Sequence, residues 1–285
     1  MKLTHYTLAL GAMLWLAGCA APADEKTYDY QLFGLDRPVQ SVQVKVYEAE
    51  SKFGEIVKGD LEWNGHYMAI FNPVGNLDTV KEFDDDGDLY GLERYKYNDE
   101  GKLVEVSAYD EDGNLDYRTD FELDASGEIV KQTTTAPSYW RDTPTTQTVE
   151  FVRTENGLVE ERLSKNDRLL AVLKYSKNDS TGTEYIIYDQ KSDETRKGYT
   201  LLDEKGRVVE ECEGDDVVCK IKWNEKNLPV YMENYTLYRN QILKMEGEMY
   251  FVEYEYDQQG NWVKQIIYEG VLKTPKTIHE RVIIY

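Results

Sequence analysis

One seven-residue pattern recurs along the chain and limits what it can fold into. It reads: an aromatic or aliphatic residue, Asp or Asn, two variable residues, Gly, a polar residue, then an apolar one. Copies are Phe83-Asp84-Asp85-Asp86-Gly87-Asp88-Leu89, Tyr97-Asn98-Asp99-Glu100-Gly101-Lys102-Leu103 and Tyr109-Asp110-Glu111-Asp112-Gly113-Asn114-Leu115. Others are Leu123-Asp124-Ala125-Ser126-Gly127-Glu128-Ile129, Leu202-Asp203-Glu204-Lys205-Gly206-Arg207-Val208 and Tyr256-Asp257-Gln258-Gln259-Gly260-Asn261-Trp262. Phe71-Asn72-Pro73-Val74-Gly75-Asn76-Leu77 fits as well, and Trp223-Asn224-Glu225-Lys226-Asn227 puts Asn where the others have Gly.

The chemistry of the pattern is a chain reversal. Asp or Asn accepts a hydrogen bond from a backbone N–H two residues on. Gly takes the left-handed conformation that closes a type I turn with a bulge. Asn is the next residue to tolerate positive φ, which suits it to position 227. Glycines 75, 87, 101, 113 and 127 lie 12, 14, 12 and 14 apart, leaving one strand between turns. Those segments alternate: Leu115, Tyr117, Thr119, Phe121 and Leu123 interleave with Asp116, Arg118, Asp120 and Glu122, a period of two. Val252-Glu253-Tyr254-Glu255-Tyr256 and residues 217–223 do the same.

The expected fold is therefore all-β, an antiparallel meander of repeated β-hairpins, curled or packed as two sheets. Trp262, Ile266 and Tyr268 on one side of a strand, with Val263 and Ile267 on the other, predict that both faces of the C-terminal part are covered. No long helix is expected; residues 48–58 could form a short helical turn, interrupted by Gly54. The alternation breaks over residues 133–148, rich in Thr and holding Pro137 and Pro144. Pro cannot donate to a central ladder, so residues 136–148 are expected as a loop, either between blocks 31–135 and 149–285 or on the surface of one continuous sheet.

Residues 8–17 are apolar and end in Leu16-Ala17-Gly18-Cys19. A run that short cannot span a bilayer, which takes about 20 residues, and it reads as a secretion signal. The ending resembles the bacterial lipobox. That resemblance implies a signal over residues 1–18, cleavage before Cys19, and palmitate-type acylation of Cys19 as the link to a lipid bilayer. Ala20 in place of Asp then favours the outer over the inner membrane of the cell envelope. Residues 19–30, small and polar, read as a tether. Cys212 and Cys219 remain, an even number in an exported chain. If Asp215-Asp216 form a two-residue loop, these cysteines face each other with Cα atoms about 5.5 Å apart, a span a disulfide bridges; two thiols or a redox pair are the alternatives.

The repeats are similar to YD-type (Rhs-like) repeats, with literal matches at Tyr109-Asp110-Glu111-Asp112-Gly113-Asn114 and Tyr256-Asp257-Gln258-Gln259-Gly260-Asn261. The chain as a whole, including Gly34-Leu35-Asp36-Arg37-Pro38-Val39-Gln40-Ser41-Val42, resembles small repeat-bearing lipoproteins of Gram-negative envelopes. The resemblance implies fold and location and carries no activity with it.

Catalytic patterns are missing from the sequence. His66 and His279, the two His beyond the signal, lie in no HExxH spacing, and no GxSxG elbow places a nucleophile. They are expected as surface or strand histidines. Counting from Glu82, residues Asp84, Asp86, Gly87 and Glu93 approximate a calcium loop, but the turn pattern already accounts for them, so no metal and no cofactor is expected. A net charge of −21 opposes nucleic-acid binding, which requires clustered Lys and Arg. Three functions stay open. The first is a non-enzymatic envelope scaffold binding a protein or glycan, with Trp63, Trp140, Trp223 and Trp262 available either for stacking or for the core. The second is an immunity or antitoxin-like protein whose acidic surface captures a basic toxin. The third, an enzyme, is disfavoured.

Overall fold

The structure, a computed structural model, describes residues 29–137, 144–154, 157–190, 192–213, 217–238 and 241–285. Among these residues it is all-β apart from one turn of helix. In chain order the elements are α1 (Asp29–Leu32), β1 (Ser41–Lys52), β2 (Glu55–Leu61), β3 (His66–Phe71), β4 (Leu77–Phe83), β5 (Leu89–Tyr97) and β6 (Leu103–Asp110). Then come β7 (Leu115–Leu123), β8 (Ile129–Ala136), β9 (Thr145–Thr154), β10 (Gly157–Lys165), β11 (Arg168–Asp179), β12 (Gly182–Asp189) and β13 (Glu194–Leu202). The last are β14 (Val208–Glu213), β15 (Val217–Trp223), β16 (Pro229–Tyr238), β17 (Gln241–Tyr256), β18 (Trp262–Glu269) and β19 (Thr274–Ile284).

The chain divides into two compact units. Unit 1 takes residues up to Tyr90 together with Val218–Tyr285, and unit 2 is Gly91–Val217. Neither division falls at residues 136–148, where a boundary between blocks was expected.

All eight copies of the motif form the same turn. The backbone N–H of the Asp or Asn donates to the carbonyl four residues on, at 2.8–3.1 Å, and the N–H of the Gly or Asn three residues on donates back at 2.9–3.2 Å. The Oδ1 of Asn72, Asp84, Asn98, Asp110, Asp124, Asp203, Asn224 and Asp257 accepts the N–H four residues on at 2.8–3.1 Å. Residue five of the motif has positive φ throughout: Gly101 stands at 75°, Gly113 at 80° and Asn227 at 59°. Where the flanking ladder is described, the first and seventh residues of the motif pair across the bulge, as Tyr97 with Leu103, Leu123 with Ile129 and Tyr256 with Trp262. The apolar ends of the motif are thus a cross-strand pair sitting above a polar reversal.

Within unit 1 the hydrogen-bonded order is β15-β16-β17-β18-β19-β1-β3-β4, with β2 folded back on the end of β1. The first and last strands are neighbours, in register from Ser41 opposite Ile284 to Glu48 opposite Thr277. Unit 2 is an uninterrupted antiparallel meander from β5 to β14. Each unit on its own is thus one continuous sheet.

Three local expectations differ from what is seen. Residues 48–58 form a hairpin, not a helical turn: Phe53 and Gly54 both have positive φ, 56° and 86°, the two-residue turn whose twist matches flanking strands. Residues 133–136 and 145–148 are strand, with Thr133 opposite Thr148 and Ala136 opposite Thr145. Thr is a strand former, and Pro137 and Pro144 fall just outside the strand ends, where no ladder donor is needed. The expected tether, residues 19–30, is shorter, because Asp29 and Tyr30 already belong to α1; its remainder and Cys19 lie outside the described residues.

The tightest packing is in unit 1. Trp262, Met232, Ile278, Val42, Val44, Asn261 and Cys219 are each under 2% exposed there, against Val106, Val149 and Thr119 in unit 2.

Candidate functional site

The site is at the end of unit 1 where a strap, residues 29–40, crosses three motif turns. Tyr30, Phe33, Leu35 and Val39 are the buried apolar residues of the strap. Asp29 Oδ2 accepts the Leu77 N–H at 2.8 Å, and the Tyr30 N–H donates to the Gly75 carbonyl at 3.2 Å. Gly75 has a second duty beyond its φ of 91°: a Cβ there would stand 2.7 Å from the Tyr30 ring. On the other side the Asp36 N–H donates to Asn261 Oδ1 at 3.0 Å, while Lys226 Nζ lies 3.6 Å from Asp36 Oδ2 and donates to the Gly260 carbonyl at 2.9 Å. Asn261 also donates to the Tyr285 hydroxyl at 2.9 Å, and that hydroxyl donates to Asp257 Oδ2.

Beneath the strap is Arg281 on β19, 4% exposed. Its Nη2 donates to the Phe33 carbonyl at 2.5 Å, and the guanidinium carbon stands 4.1 Å from the centroid of the Trp262 ring. The remaining nitrogens, Nε and Nη1, are buried with no hydrogen-bond partner among the described residues. Burial draws its pKa down to about 10, opposed by Tyr67, Tyr285 and Asp257 nearby. The group is therefore still charged at neutral pH. The ring face of Trp262 supplies a cation–π contact but accepts no N–H in the guanidinium plane.

A polar layer continues from Arg281 along the same strands. Gln265, opposite His279 in the β18–β19 register, is buried, and its Nε2 donates to the Tyr254 hydroxyl at 3.2 Å. Tyr254 in turn donates to the Pro229 carbonyl at 2.8 Å, and burial raises its pKa. His66 is buried, accepts the Val46 N–H at Nδ1 (3.0 Å) and lies 2.5 Å from the Glu62 carbonyl through Nε2, which fixes the Nε2–H tautomer. His279 is pushed down to about 4, first by desolvation and then by His66 beside it. Of the two readings the sequence left open, surface or strand, these are strand histidines: His66 is buried on β3 and His279 half-buried on β19.

Unit 2 also buries carboxylates, Glu161 and Glu211. Glu161 on β10 is 3% exposed and accepts the Tyr175 hydroxyl at 2.6 Å. Burial raises its pKa, and the Tyr175 bond and Arg153 oppose the rise.

The other expected residues are scattered. Cys212 and Cys219 are both buried, and no disulfide is formed among the described residues; the loop proposed between them, residues 214–216, is outside the described set, as is Trp140. Trp262 is core and Trp63 is 66% exposed. In the calcium-like stretch, Asp84 Oδ1 accepts the Asp88 N–H at 2.8 Å, and Glu93 accepts the hydroxyls of Tyr95 and Tyr117, both at 2.8 Å. Among the described residues no group of three His, Cys, Asp or Glu converges on a point that would hold a metal. Arg281 itself escaped the sequence reading. Nothing local marks it: in the β1–β19 register Arg281 stands beside Val44 and His279 beside Val46, on one face of the sheet.

No protein-family model matches the chain, and no curated protein does. Among solved structures it is similar to a porin-like protein from Bacteroides uniformis, 10% identical, covering 86% of this chain and 96% of that one with a TM-score of 0.40. A second porin-like protein, from Bacteroides vulgatus, is 10% identical over 86% of this chain and 98% of its own, with a TM-score of 0.25. A TcdB2-TccC3 structure is 11% identical over 85% of this chain and 16% of its own, with a TM-score of 0.35. At these values the function has to be argued from the chain's own residues.

Proposed function

We propose that the chain is a membrane-anchored envelope lipoprotein, non-enzymatic, held to the bilayer through acylated Cys19 and serving as a YD-repeat-like β scaffold that binds a protein or glycan. The observation that carries this reading is the charge on the strand faces turned away from the core. Arg118 pairs with Asp120 at 2.6 Å on β7, Lys131 with Glu122 at 2.8 Å and Lys264 with Glu255 at 2.7 Å. A strand facing lipid pays about 2–4 kcal/mol for each Lys or Arg at the midplane, so these strands belong in water and the anchor falls to residue 19. Two or three acyl chains, at about 0.8 kcal/mol per buried methylene, suffice for that. Repeated turns whose polar groups are consumed in holding their own backbone favour a scaffold over a catalyst. Trp63 and Tyr90, 66% and 51% exposed, offer rings for contact with a partner.

The test is intact-mass analysis of the chain from envelope fractions. Removal of residues 1–18 with an acyl mass on Cys19 supports the reading; an unmodified Cys19 overturns the anchor. Crosslinking in living cells, followed by identification of the captured species, tests the binding half. Recovery of a secreted basic toxin would favour the second reading, immunity, for which the net charge of −21 is the motive.

A further inference from the structure

We propose that Arg281 is a binding site for an oxyanion, a carboxylate or phosphate group, admitted beneath the strap of residues 29–40. The inference is independent of the anchoring proposed above. A guanidinium presents five N–H donors in one plane, and its natural complement is a pair of oxygens in that plane. Here only Nη2 has an acceptor, the Phe33 carbonyl. Nε and Nη1, carrying three N–H between them, are buried with none among the described residues. A buried charge left without a counter-charge or full hydrogen bonding is strongly unfavourable, so the arrangement asks for an acceptor that brings negative charge. Trp262 closes one face of the guanidinium, which steers an incoming group to the plane of the N–H bonds.

The acidic side chain nearest in chemistry does not fill this role. Asp257 is occupied by the Tyr285 hydroxyl and by the N–H groups of Gln259 and Asn261. His279, Gln265 and Tyr254 in the same layer are neutral, and Gln265 and Tyr254 are hydrogen-bonded to each other. The strap is the natural door. One of its own carbonyls caps Arg281; its polar hold on the unit runs through Asp29, Tyr30, Asp36 and Gln40, and Phe33, Leu35 and Val39 are buried beside them.

The experiment uses the full chain purified in detergent and labelled with nitrogen-15 arginine, titrated with acetate or inorganic phosphate against chloride at fixed ionic strength. The expected result is a saturable shift of the most solvent-protected arginine Nε–H resonance with acetate, phosphate or both, and none with chloride. Acetate alone identifies a carboxylate ligand and phosphate alone a phosphate ligand. In Arg281→Lys, which keeps the charge and loses the fork, half-saturation should move up by about tenfold to a hundredfold. Two results overturn the proposal: no shift of that resonance with either anion, or the same thermal stabilisation by both anions in Arg281→Lys as in the unaltered chain. The wild-type titration decides alone if the variant does not fold.

Discussion

Units 1 and 2 are built on the same turn and bury different things. Unit 2 is a plain meander whose buried positions include Ser107, Thr119 and Gln132 beside Val106 and Val149. Unit 1 adds the strap, a buried Trp, a buried Arg and two engaged His. The difference teaches that the shared turn gives each unit a sheet with a buried apolar face, while the buried Trp262–Arg281 contact forms where the strap of residues 29–40 meets β18 and β19.

The largest expected effect follows from that contrast. Trp262→Ala removes the ring under Arg281 and should cost about 3–5 kcal/mol, read as a shift in denaturant midpoint. A loss under 1 kcal/mol would mean that unit 1 has no privileged core.

Acid should separate the units in order. The unfolded chain protonates His279 as pH falls below about 6.5, whereas the folded chain refuses that proton until about 4. Stability contributed by the neutral ring is complete above that window, declines by about 3 kcal/mol across it, and is flat below. In unit 2, Asp110 and Asp124 are held below the usual carboxylate range by the Asn114 and Ser126 side chains respectively; Asp203, despite partial burial, is held there by Arg207. Their contribution is present above about pH 4 and lost beneath it. Hydrogen exchange at pH 7, 5 and 3.5 should therefore show unit 1 amides opening first, and His279→Leu should abolish that lead.

How much of this was legible beforehand follows the same division. The turns at Gly87, Gly101, Gly113 and Gly127 could be read directly, because a reversal is a local event set by four residues. The strap could not be read, because Tyr30, Gly34 and Asp36 make sense only beside Gly75, Leu228 and Asn261, which are remote in sequence. Arg281 was opaque for the same reason: charge patterning treats a lone Arg in a strand as solvated, and its burial depends on Phe33 arriving from the other end of the chain. The pairing of Thr-rich β8 and β9 is hidden because Pro137 and Pro144 suggest broken strands where they only bound them.

Two matched substitutions sharpen the point. Gly113→Ala, with nothing within 4 Å of the new Cβ, should cost only the left-handed strain, about 1–2 kcal/mol. Gly75→Ala adds a collision with Tyr30 and should cost at least about 1.5 kcal/mol more as that ring is displaced; equal losses would show that the strap contributes nothing. The smallest effect is expected from Thr119→Val, which gives up one hydroxyl pair with Thr134 (2.9 Å) and should stay within about 1 kcal/mol.

The pairing of β1 with β19 has a consequence for how the molecule comes into being. Residue 41 meets residue 284, so the rungs joining these two strands close a very long loop, and such closure carries an entropic toll that grows with the logarithm of loop length. Topologies of this sort assemble slowly. A nascent chain can pair one edge of its first strand with β2 and β3 at once, and leaves the other edge open until β19 has been delivered.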